Sequence, residues 1–194
     1  MTTDWRSRRR ATTRRTIQEH ALRLFAEKGY EQTTVEEIAA AAGVSHMTFF
    51  RHFPRKEVVV EYDDYDPILI ELIVGRPAHE TPLEAVHGAI RCAFEQILAS
   101  DHDALLARTR LILRTPALQA RNWSAQVDTR RLIADALARR AGATTADFAI
   151  EVQASAVLAA MLPALTAWAD LDDANPAALV ALVDAAFDAL RAGV

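Results

Sequence analysis

The chain has 194 residues, of which 51% are hydrophobic, a formal net charge of −4 and a single cysteine. This length fits one large or two small domains with a substantial core. One cysteine excludes an internal disulfide bond and is typical of a reducing cytoplasm. The polar, basic start predicts no signal peptide, and we expect no apolar run long enough to span a membrane.

Charge is distributed unevenly along the chain. Residues 1–60 carry 11 lysines and arginines against 7 aspartates and glutamates, whereas residues 61–194 carry 11 against 19. The most basic stretch is residues 6–15, with six arginines. This start is either a disordered, solvated tail or an arm that orders on DNA, along the phosphates or in a narrow minor groove. A basic head on an acidic body orients the protein toward a polyanion.

The predicted elements are all helices. An apolar stripe predicts a first helix over residues 12–28, ended by glycine. The segment that follows, residues 33–56, reads TTVEEIAAAAGVSHMTFFRHFPRK. Thr34 and Glu37 have the spacing of a capping box, which places a short second helix at residues 35–42.

A tight turn and a third helix complete this segment. Gly43 ends the second helix because only glycine adopts a left-handed backbone at low cost. Ser45 caps a third helix over residues 45–52, and Pro54 ends it. Two short helices joined in this way are typical of a helix-turn-helix that enters the major groove of DNA. We expect the outward face of the third helix to comprise His46, Met47, Thr48, Phe50, Arg51 and His52.

The same region carries a longer pattern. Residues 24–57 read LFAEKGYEQTTVEEIAAAAGVSHMTFFRHFPRKE. Residues 14–60, which include this stretch, resemble the N-terminal domain of the TetR family of bacterial transcriptional regulators. The family pattern is F-A-E-x-G-Y/F, then T-T-x-x-x-I-A, then A-G-V-S-x-x-T-x-Y-x-x-F-x-x-K. The resemblance implies an all-α protein of about nine helices. It would have a basic arm (residues 1–11), a three-helix DNA-binding domain (12–54), and a helical ligand-binding and dimerisation domain (55–194).

The resemblance also implies roles for side chains of the helix-turn-helix. Phosphate contacts are expected from Thr34, Ser45, Thr48, His52 and Lys56. Approach to base edges is expected from His46, Met47 and Phe50. The family usually has tyrosine where Phe50 stands, so a phosphate donor is replaced by an apolar contact. His46 and Met47 stand where lysine and glycine are common, which indicates a different operator.

Further helices are predicted beyond the helix-turn-helix. A fourth helix begins near Arg55, and proline, glycine and cap residues delimit the others. Their predicted ranges are residues 66–74, 82–100, 103–114, 116–140, 145–169 and 176–192.

The last two predicted helices carry extensive apolar surfaces. In the family these helices pair with their two-fold mates, which implies a homodimer on a pseudo-palindromic double-stranded DNA operator. A dimer also has a physical reason, because one short helix reads few base pairs. The alternative is that both helices only cover the core of their own protomer.

The middle helices are the candidate chamber for a small effector. The predicted ligand-binding residues are Phe94, Arg110, Arg114, Trp123, Met161 and Trp168. The alternative is a filled core, with Arg110 and Arg114 on a solvated helix face. The motifs RLILRTPAL and YDDYDP are similar to a subgroup that includes mycofactocin-type regulators, which points to an acyl ligand.

The sequence therefore predicts a cytoplasmic DNA-binding regulator, a repressor released by a small hydrophobic or amphipathic effector. We expect no cofactor, no metal site and no membrane association, since the histidines share no metal spacing. No glycine-rich phosphate loop, HExxH or G-x-S-x-G motif suggests an enzyme. Two alternatives stay open: a regulator with a filled core controlled by a protein partner, and an enzyme or carrier with an incidental helix-turn-helix.

Overall fold

The structure is a computed structural model that describes the backbone of residues 3–62 and 66–193. Within these ranges it leaves out the side chains of residues 3–4, 6–8 and 121–125. The described backbone is helical and contains no strand, which confirms the predicted all-α class. Its helices are α1 (Thr3–Lys28), α2 (Val35–Ala41), α3 (His46–His52), α4 (Lys56–Glu61), α5 (Asp66–Val74), α6 (Pro82–Arg114), α7 (Pro116–Arg140), α8 (Phe148–Ala169) and α9 (Pro176–Ala192).

Two helices begin elsewhere than predicted: α1, and α8, which begins at Phe148 after its cap Asp147 rather than at residue 145. α1 begins at Thr3 rather than at residue 12, because residues 3–11 contain neither glycine nor proline and are rich in arginine, a good helix former. α6 is one continuous element, but Asp101 has non-helical angles (φ −134°, ψ 25°). The predicted interruption between residues 100 and 103 is therefore present, as a kink that joins two helical stretches.

The chain forms two compact units. The head unit comprises residues 1–62 and 110–120, and the body unit comprises residues 63–109 and 121–194. The predicted division into an arm and two domains stays a prediction. Thirteen side chains form the buried core of the head unit: Ile17, Ala21, Leu22, Leu24, Phe25, Tyr30, Ile38, Ala39, Phe49, Phe53, Val59, Val60 and Leu118.

The body unit is built around the aromatic side chains of its last two helices. Trp168 and Phe187 are both fully buried. The indole Nε1 of Trp168 donates to the carbonyl oxygen of Asn175 at 3.1 Å, and Asn175 in turn caps α9. His102, just after the kink in α6, lies 2.7 Å from the carbonyl oxygen of Ala174 through Nε2. The α8–α9 connection is therefore held from both sides.

α8 is long and apolar enough to cross a membrane by length and composition, with a mean hydropathy of 1.7 over its most apolar stretch. The expectation that no segment would pass this test is wrong. Composition alone does not distinguish such a helix from the core helix of a globular protein. One face of α8, including Ala154, Val157 and Ala164, is buried in the body core.

Candidate nucleic-acid interface

Reciprocal hydrogen bonds fix the start of α2. The Thr34 hydroxyl accepts from the backbone N–H of Glu37 (3.2 Å), and the Glu37 carboxylate accepts from the backbone N–H of Thr34 (3.0 Å). The predicted capping box is therefore confirmed. Lys28, at the end of α1, adds a donor 2.6 Å from Glu37. The hydrogen bonds from Lys28 and Thr34 lower the pKa of Glu37, so this cap persists until the pH falls well into the acid range.

The turn between α2 and α3 has the predicted geometry. Gly43 has φ +65°, in the left-handed region that disfavours a side chain. The hydroxyl of Ser45 then accepts from the backbone N–H of Thr48 at 3.1 Å and caps α3. Ser45 and Thr48 also share a hydrogen bond between their hydroxyls, at 2.9 Å. Both hydroxyls thus lie together at the start of α3.

α3 divides into a buried side and an exposed side. Phe49 is fully buried, as is Phe53, which follows the helix. On the other side Met47 is 80% exposed and Phe50 is 41% exposed. Exposure of large apolar side chains to water is unfavourable, and a binding partner that covers them removes this cost. A thymine methyl group and a sugar edge are apolar parts of DNA that suit such a contact.

His46 is held by its neighbours. Its Nε2 lies 3.2 Å from a carboxylate oxygen of Glu36 on α2, and its ring meets the Phe50 ring edge-on at 4.7 Å. The carboxylate links the two helices of the motif and orients the imidazole. Neutral His46 that donates through Nε2 presents Nδ1 as an acceptor, whereas protonated His46 presents a donor.

His52 does not lie on the outward face, so the predicted orientation is wrong. The side chain is only 8% exposed and points into the head unit. α3 has only seven residues, too few for their periodicity to show which side chains of its last turn are buried. Burial, together with the charges of Arg51, Arg14 and Arg10, lowers the pKa of His52. Its contact with a phosphate stays a prediction.

Lys56 makes contacts that the sequence did not suggest. Its Nζ donates to the carbonyl oxygens of Tyr30 (2.8 Å) and Thr33 (3.1 Å), and it lies 4.2 Å from the centre of the Tyr30 ring. Thr33 is itself buried, with its hydroxyl 2.9 Å from the carbonyl oxygen of Gly29. Lys56 therefore joins the start of α4 to the α1–α2 loop, and its predicted phosphate contact is untested.

Sequence reasoning also missed Glu36 as the partner of His46. An acidic residue in the first turn of a helix is common, because it interacts favourably with the helix dipole. Because the helix dipole already explains an acidic residue at this position, the sequence did not indicate that Glu36 contacts α3. The ten-residue separation of Glu36 and His46 becomes informative only once the angle between the two helices is known.

The predicted ligand-binding residues fall in different places. Met161 and Trp168 are buried in the body core, and Phe94 packs against that core half-buried. Arg110 and Arg114 lie at the end of α6, in the part of the chain that belongs to the head unit. The side chain of Trp123 lies outside the described residues. Their shared role in a ligand site stays a prediction.

An open groove of about 630 Å³ follows the first half of α6 in the body unit. Its walls are mostly charged, and they contain none of the predicted ligand-binding residues. Arg76 pairs with Glu80, and Arg91 pairs with Asp184, 3.3 Å away. The groove is lined by Arg76, His79, Glu80, Glu84, His87, Gly88, Arg91, Cys92 and Glu95.

Two family models match separate parts of the chain. Residues 17–62 match the model for bacterial regulatory proteins of the tetR family. Residues 80–194 match the model for the MftR C-terminal domain. The first match contains α2 and α3, so the helix-turn-helix described above lies within the segment that matches the family model.

Curated relatives cover much of the chain. A Mycobacterium tuberculosis protein assigned as the mycofactocin biosynthesis transcriptional regulator MftR is 33% identical over 189 residues, or 96% of this chain and 93% of the relative. The HTH-type transcriptional regulator TcmR of Streptomyces glaucescens is 35% identical over 144 residues, or 71% of this chain and 64% of the relative.

Solved structures share the fold. Thermus thermophilus FadR, a TetR family transcriptional repressor solved in complex with lauroyl-CoA, matches with a TM-score of 0.57 at 27% identity. The match covers 93% of this chain and 94% of that one. FadR of Bacillus subtilis matches with a TM-score of 0.60 at 22% identity, over 92% and 98% of the two chains. The second match supports the fold alone.

Replacing His46 by alanine is expected to change which DNA sequences are preferred, because the imidazole is predicted to approach base edges. Discrimination at the affected base pair should fall by roughly tenfold. Thr48→Ala, which removes a predicted phosphate donor, should weaken binding to all sequences alike. Competition binding over a panel of DNA variants measures both effects, and an equal loss at every variant for His46→Ala would contradict its base-reading role.

Replacing Lys56 by methionine is expected to lower the free energy of unfolding by roughly 2 kcal/mol, because two hydrogen bonds from a charged donor are lost. Arg55→Met is the matched control, since the adjacent exposed Arg55 makes no side-chain cap hydrogen bond. Urea denaturation of both variants gives the comparison. Unchanged stability of Lys56→Met with weaker DNA binding would assign Lys56 to phosphate contact rather than to the loop.

Proposed function

The chain belongs to the TetR family of transcriptional regulators, with an MftR-type C-terminal domain, and from this premise we propose that it is a repressor released from its operator by a small amphipathic effector. The DNA-binding part of this proposal rests on α3, whose exposed face lies opposite the buried rings of Phe49 and Phe53. Met47 and Phe50 are large, apolar and exposed. In the proposed complex these two side chains meet the bases. The proposal places the protein in the cytoplasm, with access to DNA.

The docking proposal separates phosphate contacts from base contacts. Thr34, Ser45 and Thr48 present hydroxyls at the starts of α2 and α3, where phosphates approach a helix-turn-helix. His46, Met47 and Phe50 approach the base edges. A footprint on the promoter beside the gene, with the Ser45 to His52 segment substituted as control, tests this arrangement directly.

We propose that the protein acts as a homodimer through α8 and α9. α8 presents an exposed row at alternating spacings of four and three residues, as in the seam of packed helices. Its members are Phe148, Val152, Ser155, Ala159 and Leu162. Phe148 is 83% exposed and Val152 is 49% exposed, which is costly in water unless a second copy covers them.

The rest of the surface proposed for dimerisation lies on α9 and consists of small side chains. Ala177, Ala181 and Ala185 are exposed at four-residue intervals on α9, which permits close approach of a neighbouring helix. Val157 and Met161 of α8 are buried in the core of the protomer and do not belong to this surface. One face of α8 thus covers the core of its own protomer, and the exposed face is the one proposed for dimerisation.

Ala159→Arg is expected to disrupt the dimer, because it places a charge at the centre of the exposed row. The dissociation constant should rise by roughly a hundredfold, with helical content unchanged. Ala104→Arg, at an exposed alanine of α6, is the control. Sedimentation velocity measures the assembly state, and a dimer that persists in Ala159→Arg would contradict the proposed interface.

The effector we propose is amphipathic and of the acyl-CoA class. The support is the likeness to Thermus thermophilus FadR, which was solved with lauroyl-CoA. The body core supplies apolar side chains from α5 to α9 that could surround an acyl chain after rearrangement. The effector would release DNA only if it binds the released conformation more tightly than the DNA-bound one.

Lauroyl-CoA at about 100 times its dissociation constant is expected to stabilise the folded protein by roughly 2.7 kcal/mol. It should also raise the midpoint of thermal unfolding and release bound DNA. Coenzyme A without the acyl chain is the control. A thermal shift series over acyl chain lengths, read together with DNA release, tests the effector class.

A second candidate function is a DNA-binding regulator whose body core has no ligand cavity and which is controlled by a protein partner. Trp168 favours it, because the side chain is fully buried and its N–H is already hydrogen-bonded. Met161, another predicted ligand residue, is 8% exposed and packs in the same core. No thermal shift with any acyl-CoA, together with intact DNA binding, would favour this candidate over the acyl effector.

A further inference from the structure

The kink in α6 brings one histidine to the connection between α8 and α9. Asp101 has non-helical angles within α6, and His102 follows it directly. The His102 side chain is 25% exposed and reaches the carbonyl oxygen of Ala174, which lies 72 residues further along the chain. Residues 170–175 form the α8–α9 connection. His102 thus joins an irregular point of α6 to a loop.

Both ring nitrogens of His102 face oxygen atoms. Nε2 lies 2.7 Å from the carbonyl oxygen of Ala174, and Nδ1 lies 2.8 Å from a carboxylate oxygen of Asp103. A carbonyl oxygen and an ionised carboxylate can only accept hydrogen bonds, so each ring nitrogen must donate. A neutral imidazole has one N–H group, whereas an imidazolium has two. The geometry therefore fits the protonated ring, and a neutral ring would lose one of the two hydrogen bonds.

Other contacts hold the His102 ring and favour its positive charge. The ring meets the indole of the fully buried Trp168 edge-on, with centres 5.9 Å apart. The charged groups that face His102 are Asp103 on α6 and Asp173 in the connection, and both are acidic. The hydrogen bonds to Ala174 and Asp103 raise the pKa of His102 above its ordinary value, and attraction to the two carboxylates adds to this shift against the cost of burial.

His87 provides a contrast within the same body unit. Its Nε2 lies 2.7 Å from a carboxylate oxygen of Asp184, but its Nδ1 lies 2.7 Å from the guanidinium group of Arg191. A guanidinium group can only donate, so Nδ1 of His87 must accept. This arrangement fits a neutral ring with its single hydrogen on Nε2. The two histidines therefore differ in the charge that their hydrogen-bond partners favour.

We propose that His102 is a pH-sensitive latch: the protonated ring holds the α8–α9 connection at the kink of α6, and loss of its proton frees the connection. The latch belongs to the body unit and does not rest on DNA binding. Because the pKa of His102 is raised in the folded state, its contribution to stability is complete below the pKa of an unfolded histidine and is lost as the pH rises through the folded-state pKa. The connection is therefore held at pH 6 and loosened at pH 9.

Ring NMR of the full-length protein tests the charge of His102 without any substitution. The ring should be mostly protonated at pH 6.5, where an ordinary histidine is about half protonated. Asp103→Asn should lower the midpoint of the titration, because the amide carries no charge. The Asp103 side chain is fully exposed, so this change leaves the core intact. A His102 ring that is half protonated or less at pH 6.5, or a midpoint that Asp103→Asn does not move, would overturn the proposal.

Hydrogen exchange at Trp168 reports the latch itself. The indole N–H of Trp168 donates to the carbonyl oxygen of Asn175, next to Ala174, so this hydrogen exchanges faster when the connection opens. The comparison is with His102→Gln, whose amide does not titrate. Wild type should protect the indole hydrogen roughly tenfold more than the variant at pH 6, and roughly threefold more at pH 9. Measuring both proteins at the same pH removes the intrinsic pH dependence of exchange.

The matched control is His79→Gln, at an exposed histidine of the loop between α5 and α6. This variant should protect the Trp168 indole hydrogen like wild type at both pH values, and circular dichroism checks that each variant keeps its helical content. A ratio of wild-type to His102→Gln protection that is equal at pH 6 and pH 9 would leave His102 a structural role only and overturn the latch. Equal losses in His79→Gln and His102→Gln would also overturn it.

Discussion

Phe49 and Phe53 anchor α3, and every contact that this helix can make with DNA depends on that anchorage. Both rings are fully buried, with centres 6.0 Å apart, in a core that also contains Val59 and Val60 of α4. So small a unit buries a limited apolar area by itself. Leu118, from the segment of residues 110–120, adds to the same core. A rigid α3 can expose Met47 and Phe50 because its opposite side is so fully packed.

Polar groups of the head unit serve two different purposes. Thr34, Glu37 and Lys56 satisfy backbone groups at helix ends and in the α1–α2 loop, and thereby hold α2 and α4 in register with α1. The hydroxyls of Ser45 and Thr48, which lie together at the start of α3, serve the proposed contact with phosphates instead. This contrast separates groups that complete the fold from groups that are proposed to meet DNA.

The helix-turn-helix was predictable because its signals are local. The Thr34 cap, the turn at Gly43 and the Ser45 cap each act within four residues, and all are confirmed. Burial of His52 was not predictable, because a helix of seven residues is too short for its periodicity to separate a buried face from an exposed one. The hydrogen bonds of Lys56 to the carbonyl oxygens of Tyr30 and Thr33 were not predictable either, because no sequence pattern indicates the backbone conformation of the α1–α2 loop. The inclusion of residues 110–120 in the head unit rests on long-range packing that periodicity does not report.

The central claim is that a two-fold pair of α3 helices reads DNA through His46, Met47 and Phe50. Selection of binding sites from a random duplex library by the purified full-length protein tests it most directly. The account predicts enrichment of two inverted half-sites about one or more helical turns apart, with a changed half-site for a Met47→Ala, Phe50→Ala double variant. No enriched sequence, or the same half-site from wild type and variant, would contradict it.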